Sequence, residues 1–183
     1  MRDIGALLDW IDASEALDAE RVGIYGGSYG GYAVLAAMIR YSDRIAAGCD
    51  MVGVSNFVTF LENTRSYRRD NRRAEYGDES DPEMRAFLEE ISPLTHAKSI
   101  VKPLFIVHGA NDPRVPLSEA RQMFEAVKEN AQDAWLMVAH DEGHGFSKRN
   151  NRDAFYRAFV MFFGKHLTQG GSAADSETAS HTD

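Results

Sequence analysis

Gly26-Gly27-Ser28-Tyr29-Gly30-Gly31 directly follows the apolar run Val22 to Tyr25. A serine in the spacing G-x-S-x-G, where a buried strand turns into a helix, is presented on a sharp bend. A hydroxyl is a poor nucleophile, so Ser28 needs a base within reach and backbone N–H donors beside it. Small residues suit the bend, because a side chain at Gly26 or Gly30 is expected to collide with the neighbouring strand or helix. The competing reading is a glycine-rich turn with an incidental serine.

Two later apolar runs end in groups that could complete the chemistry. Pro103 to His108 leads into Gly109-Ala110-Asn111-Asp112-Pro113-Arg114-Val115-Pro116, and Trp135 to Ala139 leads into His140-Asp141-Glu142-Gly143-His144-Gly145-Phe146. His144 is read as the base that takes the Ser28 proton and returns it to the leaving group, since imidazole exchanges protons near neutrality. Asp112 would hold the other ring nitrogen and stabilise the imidazolium. Gly143 and Gly145 imply a tight mobile loop, which favours His144 over His140, a strand-end residue expected to be packed. His108 precedes the acid by too little chain to face it from another loop. Asp141 and Glu142 are read as capping or salt-bridging groups, and Asp112 alone could be a turn former in Asn-Asp-Pro.

The elements that must position these groups follow from periodicity. Ile4, Leu7, Leu8 and Ile11 mark a helix with one buried face. Strands are expected at Arg21 to Tyr25, Ile45 to Met51, Pro103 to His108 and Trp135 to Ala139. The nearly all-apolar stretch Ala33 to Ile39 predicts a central buried helix. Ser118 is expected to cap a helix striped by Ala120, Met123, Phe124 and Val127, and Phe155, Ala158, Phe159 and Phe162 stripe the last helix. Strands alternating with helices specify an α/β fold with a mainly parallel sheet covered on both faces. Functional loops then gather at the carboxyl ends of the strands. The chain order serine, acid, histidine is that of the α/β-hydrolases.

Between residues 55 and 92 the composition becomes charged: Arg65, Arg68, Arg69, Arg72 and Arg73 alternate with Tyr67, Asp70, Glu75 and Tyr76. The acidic run that follows makes this a solvated, cap-like excursion rather than a nucleic-acid site. Residues 168–183 have no apolar periodicity and read as a disordered tail.

The 183 residues carry a net charge of −8 and are 44% hydrophobic and 26% charged. That composition suits one globular domain and excludes nucleic acid as a main partner. No apolar run is long enough to span a membrane, and Met1-Arg2-Asp3 is expected to open an amphipathic helix rather than a signal peptide. Cys49 is the single cysteine, which forbids an intrachain disulfide and favours a cytoplasmic location. It is read as a buried structural thiol. No Cys/His cluster suggests a metal, and Gly26 to Gly31 lacks the lysine of a phosphate-binding loop, so no cofactor is expected.

Taken together, Arg21 to Tyr32, Ile91-Ser92-Pro93-Leu94, His108 to Pro116 and Asp141 to Phe146 resemble the catalytic domain of the prolyl oligopeptidase family of serine peptidases. The likeness is nearest the acylaminoacyl-peptidase-like and dipeptidyl-peptidase-like branches. It implies the carboxyl-terminal part of an α/β-hydrolase domain over residues 1–167, with about four parallel strands and without the amino-terminal strands and β-propeller. It implies Ser28, Asp112 and His144 as a triad and the Tyr29 backbone N–H as an oxyanion donor. It further implies that Arg114 approaches a substrate carbonyl and that Val115 lines the pocket for the residue before the cleaved bond; Arg114 could instead pin its own loop to an acidic neighbour. Short peptides are the implied substrates, with a carboxylesterase, or an inactive piece that pairs with another chain through an exposed sheet edge, as alternatives. A missing second oxyanion donor would cost about 3 kcal/mol of transition-state stabilisation, so low activity is expected of the isolated chain.

Overall fold

In the computed structural model, which describes residues 1–168, helices and strands alternate along the chain. Helix α1 (Arg2–Asp12) and a short 3-10 turn lead into β1 (Gly23–Gly27), α2 (Tyr29–Arg40) and β2 (Ala47–Met51). Then come α3 (Phe57–Asn63), α4 (Ser66–Tyr76) and α5 (Pro82–Glu90). A 3-10 segment, β3 (Leu104–Gly109), α6 (Leu117–Val127), β4 (Ala134–Ala139) and α7 (Arg149–Thr168) complete the order. The strands form one sheet in the order β1-β2-β3-β4, every pair parallel.

Alternation along β3 explains the layering. Leu104 and Ile106 join a core with Leu8 of α1, Leu35 and Met38 of α2, and Met123 and Val127 of α6. Phe105 and Val107 face the other way and pack with Phe155 and Phe162 of α7. Successive strand side chains point to opposite faces, so a strand buried along its whole length needs helices on both sides. Every β3 residue is buried. Cys49 lies in the α7-side core and is fully buried, and burial drives its thiol pKa far up.

Three expectations are corrected. Strand β1 starts at Gly23, two residues later than the expected Arg21, and continues through Gly26 and Gly27, which pair with Asp50 and Met51. Ser118 is not a cap: α6 begins at Leu117, with the cap position taken by Pro116 in an extended conformation. Thr168, assigned to the tail, ends α7, and the remaining tail residues lie outside the described residues.

The 55–92 segment holds three helices. Asn56 caps α3, its side-chain oxygen accepting from the N–H groups of Val58 and Thr59 at 2.9 and 3.0 Å. Asp81 caps α5, which opens on Pro82, a residue suited to the first helical turn. Helix α4 buries none of its residues, whereas Phe57, Phe60, Leu61 and Leu88 form a separate apolar cluster on either side of it in sequence. Strand β1 lies at the sheet edge, with no second neighbour among the described residues. Among those residues no helix is long and apolar enough to cross a membrane.

Candidate active site

Ser28 occupies the junction between β1 and α2 with φ 59° and ψ −121°. Such a backbone is strained for a residue with a side chain, by roughly 1–3 kcal/mol, and persists only where the surroundings hold it. Its N–H donates to the Met51 carbonyl at 2.9 Å, and its own carbonyl accepts from Gly31 and Tyr32. A Cβ at Gly26 would strike the Gly30 backbone, as expected, but one at Gly30 would meet open space. The second forbidden position is instead Gly31, where a Cβ would meet the Asp50 carboxylate and the Gly53 backbone. Tyr29 is the first residue of α2, so its N–H precedes the helix's own hydrogen-bond ladder and sits at the positive end of the helix dipole.

The loops after β3 and β4 bring two further groups to Ser28. His144 Nε2 lies 2.9 Å from Ser28 Oγ, and His144 Nδ1 lies 2.7 Å from Asp112 Oδ2. The other Asp112 oxygen accepts the N–H groups of Arg114 and Val115 at 2.7 and 3.0 Å. Burial works to raise the Asp112 pKa, but the His144 bond and the two backbone N–H groups outweigh it and hold the carboxyl below its ordinary value. Asp112 therefore stays ionised and faces the imidazole.

Two neighbours steady this pair. His108 is buried, its Nε2 3.0 Å from the Val115 carbonyl and 3.7 Å from the Asp112 oxygen that faces His144. It approaches Asp112 from the end of its own strand rather than from another loop, because the 109–115 turn folds back over that strand end. Burial is the main influence on His108 and lowers its pKa, which keeps the ring neutral. Glu142 is buried and accepts from the Ser147 and Lys148 N–H groups, the Ser147 hydroxyl and Asn151, at 2.7 to 3.0 Å. Burial opposes its charge, yet these bonds prevail and bring its pKa down to about 2. Glu142 closes the loop that carries His144 onto the start of α7. Asp141, by contrast, pairs with Lys148 at the surface. His140 is exposed rather than packed, and its carbonyl accepts from Asn111 Nδ2 at 2.8 Å.

The residue profile of the prolyl oligopeptidase family matches residues 1–170. The chain belongs to that family. It is 36% identical over 174 residues to dipeptidyl aminopeptidase BIII of Pseudoxanthomonas mexicana, a match covering 93% of this chain and 25% of the relative. A solved Mycobacterium tuberculosis puromycin-hydrolyzing peptidase superposes with a TM-score of 0.80 at 28% identity, over 89% of this chain and 24% of that one. An acylaminoacyl peptidase solved with Z-Gly-Gly-Phe-chloromethyl ketone superposes with a TM-score of 0.76 at 26% identity, over 90% and 27%. The chain thus spans about a quarter of the length of these relatives, and its sheet is part of an α/β-hydrolase peptidase fold.

Within this prolyl oligopeptidase domain, a cleft of about 440 Å³ opens beside the elbow, lined by Tyr29, Tyr32, Phe57, Glu75, Tyr76 and Ile91. Its aromatic rings touch in sequence, Tyr29 tilted against Tyr32 at 5.3 Å, Tyr32 edge-on to Phe57 at 4.9 Å and Phe57 tilted against Tyr76 at 5.4 Å. Val115 is buried in the apolar cluster that backs Tyr32 and Phe57 rather than on the cleft surface. Arg114 is exposed and has no carboxylate partner among the described residues. A slightly larger cleft, about 470 Å³, lies at the opposite end of β1 around Gly23 and contains none of these groups.

Two buried acids escaped the sequence reading. Glu119 of α6 is fully buried and reaches Ser55 N, Asn56 N and Thr59 Oγ1 at 3.1, 2.8 and 2.6 Å, which ties α3 to the helix after the Asp112 loop. Burial raises its pKa against those bonds. Asp50 of β2 lies beneath the elbow against Gly31 and Gly53, with Oδ1 unpartnered, and burial raises its pKa to about 7. Asp50 carries one signal in the sequence, an acid inside an otherwise apolar stretch, whereas Glu119 lies among polar helix residues and carries none.

Proposed function

We propose that this domain carries the catalytic groups of a serine peptidase that hydrolyses short peptides through an acyl-enzyme. The observation that carries the reading is the continuous relay Ser28 Oγ to His144 Nε2 at 2.9 Å and His144 Nδ1 to Asp112 at 2.7 Å. Ser28 Oγ attacks the scissile carbonyl while His144 takes its proton; Asp112 stabilises the imidazolium that results. The developing oxyanion is met by the Tyr29 N–H at the start of α2. His144 returns the proton to the leaving amine, and a water activated in the same way releases the acid. In this reading the aromatic cleft receives the side chain before the cleaved bond, and Arg114 reaches a carbonyl one residue further back.

Because the chain spans about a quarter of its relatives, the activity belongs to the full-length protein and the isolated chain is expected to turn over slowly. The same reading places the protein in the cytosol, consistent with one buried cysteine. It also assigns self-association to the free edge of β1. There Tyr25 is 50% exposed on a strand with no second neighbour among the described residues. Hydrolysis of aminoacyl-nitroanilides and short peptides, compared with a p-nitrophenyl ester, tests the function. Peptide turnover lost in Ser28→Ala supports it; turnover confined to esters replaces the peptidase with an esterase.

A further inference from the structure

Glu119 sits in the first turn of α6, the helix that continues directly from the turn carrying Asp112. Its N–H donates to the Pro116 carbonyl at 3.0 Å, which fixes it to the end of that turn. From there the fully buried side chain crosses to a different element. Oε2 accepts the Ser55 and Asn56 N–H groups at 3.1 and 2.8 Å, and Oε1 accepts the Thr59 hydroxyl at 2.6 Å. Gln122, one turn further along α6, donates to the Ser55 and Thr59 hydroxyls at 2.9 Å each, leaving the Thr59 hydrogen for Glu119.

A buried carboxylate with this many donors holds them in place as firmly as they hold it. Asn56 caps α3, and Phe57 follows it as the first helical residue. Phe57 lines the cleft beside Tyr29, and with Phe60 it receives Tyr76 of α4 at ring distances of 5.4 and 5.8 Å. Helix α4 buries none of its own residues, so this aromatic contact is what presents Tyr76 to the cleft. The Phe57 N–H goes to the Ser92 hydroxyl at 2.9 Å, a bond made within the 55–92 segment; Glu119 reaches the same helix from outside that segment. The cleft wall made by Phe57 and Tyr76 is thereby tied to the element that carries the catalytic acid. The relay from Ser28 through His144 to Asp112 does not itself pass through α3. An apolar cleft discriminates by contact with the side chain it receives, so a shifted wall costs selectivity before it costs reactivity.

We propose that Glu119 is a positioning residue for substrate selection: acting through Ser55, Asn56 and Thr59, it sets the Phe57–Tyr76 wall against Tyr29, and with it the preference for a bulky side chain before the cleaved bond. The role rests on the reading that the aromatic cleft receives that side chain. Glu119 touches no substrate. A glutamine in its place keeps a single acceptor oxygen and must turn an NH2 either towards the two backbone N–H groups or towards a hydroxyl that already accepts from Gln122.

The test compares the full-length protein with its Glu119→Gln variant on Gly-Phe and Gly-Ala p-nitroanilides, and follows labelling of Ser28 by a small fluorophosphonate in both. The unmodified protein is expected to favour the Phe substrate in kcat/KM by at least about tenfold. In Glu119→Gln that preference should fall roughly tenfold through the Phe substrate alone, with the Ala substrate and the labelling rate held within about twofold. Thr59→Val removes only the Oε1 bond and should lower the ratio about threefold, which decides the matter where Glu119→Gln does not fold. A labelled protein without preference for Phe, a ratio that survives the substitutions, or equal slowing of both substrates and of labelling overturns the role of Glu119 and leaves the peptidase reading standing. A protein whose Ser28 does not label, or that hydrolyses neither substrate, overturns the peptidase reading and this role with it.

Discussion

Glu142 Oε2 accepts both the backbone N–H and the hydroxyl of Ser147, each at 3.0 Å, and so clamps the loop on which His144 is carried. A neutral amide cannot accept this set equally well. Glu142→Gln is expected to lower turnover by about tenfold or more while Ser28 remains reactive, a split that kcat measured beside probe labelling resolves.

The same carboxylate should mark the acid limb of stability. Its folded-state pKa of about 2 lies below the ordinary 4.5. The stabilisation is therefore complete above about pH 4.5 and is lost as pH falls towards 2. Urea unfolding across that window should show the loss in the unmodified chain and a flatter profile in Glu142→Gln.

Asp50 predicts the opposite slope. A carboxyl raised from 3.8 to about 7 binds its proton more tightly folded than unfolded. Its contribution is fully present below about pH 4 and disappears as pH rises through 7. Asp50→Asn should remove that decline between pH 4 and 7, read by thermal melts at fixed ionic strength. An unchanged slope would show that the ionisation lies elsewhere.

Asp112→Asn should preserve the loop, because the amide oxygen can still accept from Arg114 and Val115, but present an N–H to a ring nitrogen that should itself donate. Loss of roughly 10⁴ in turnover is expected with little change in stability. The pH–rate profile and the melting temperature check the two halves separately.

The edge of β1 predicts concentration-dependent association. Sedimentation velocity should show the sedimentation coefficient rising with loading, and a charge at the edge, Tyr25→Lys, should suppress the rise. A single concentration-independent monomer would remove that part of the reading.

What could be read before any coordinates was whatever depends on local pattern. The apolar run before Gly26, the short strand before Gly109 and the acid and imidazole in the loops that follow were visible because strand periodicity and turn chemistry are local. The meeting of Ser28, Asp112 and His144 in space followed from the parallel order of strand ends. Boundaries failed where glycine keeps pairing, as at Gly26 and Gly27, or where proline takes a cap from a neighbouring serine, as at Pro116 and Ser118. The roles of His108, Glu119 and Glu142 stayed hidden because each depends on a partner brought in by the fold. The Phe57, Phe60 and Leu61 spacing under the charged excursion was a helical signal masked by the arginines around it.

Mapping the site of fluorophosphonate modification tests the relay most directly. The account predicts a single adduct on the peptide containing Ser28, absent in Ser28→Ala and slowed at least about 10²-fold in His144→Ala. Equal modification of Ser28→Ala, or an adduct on another residue with Ser28 untouched, would contradict it.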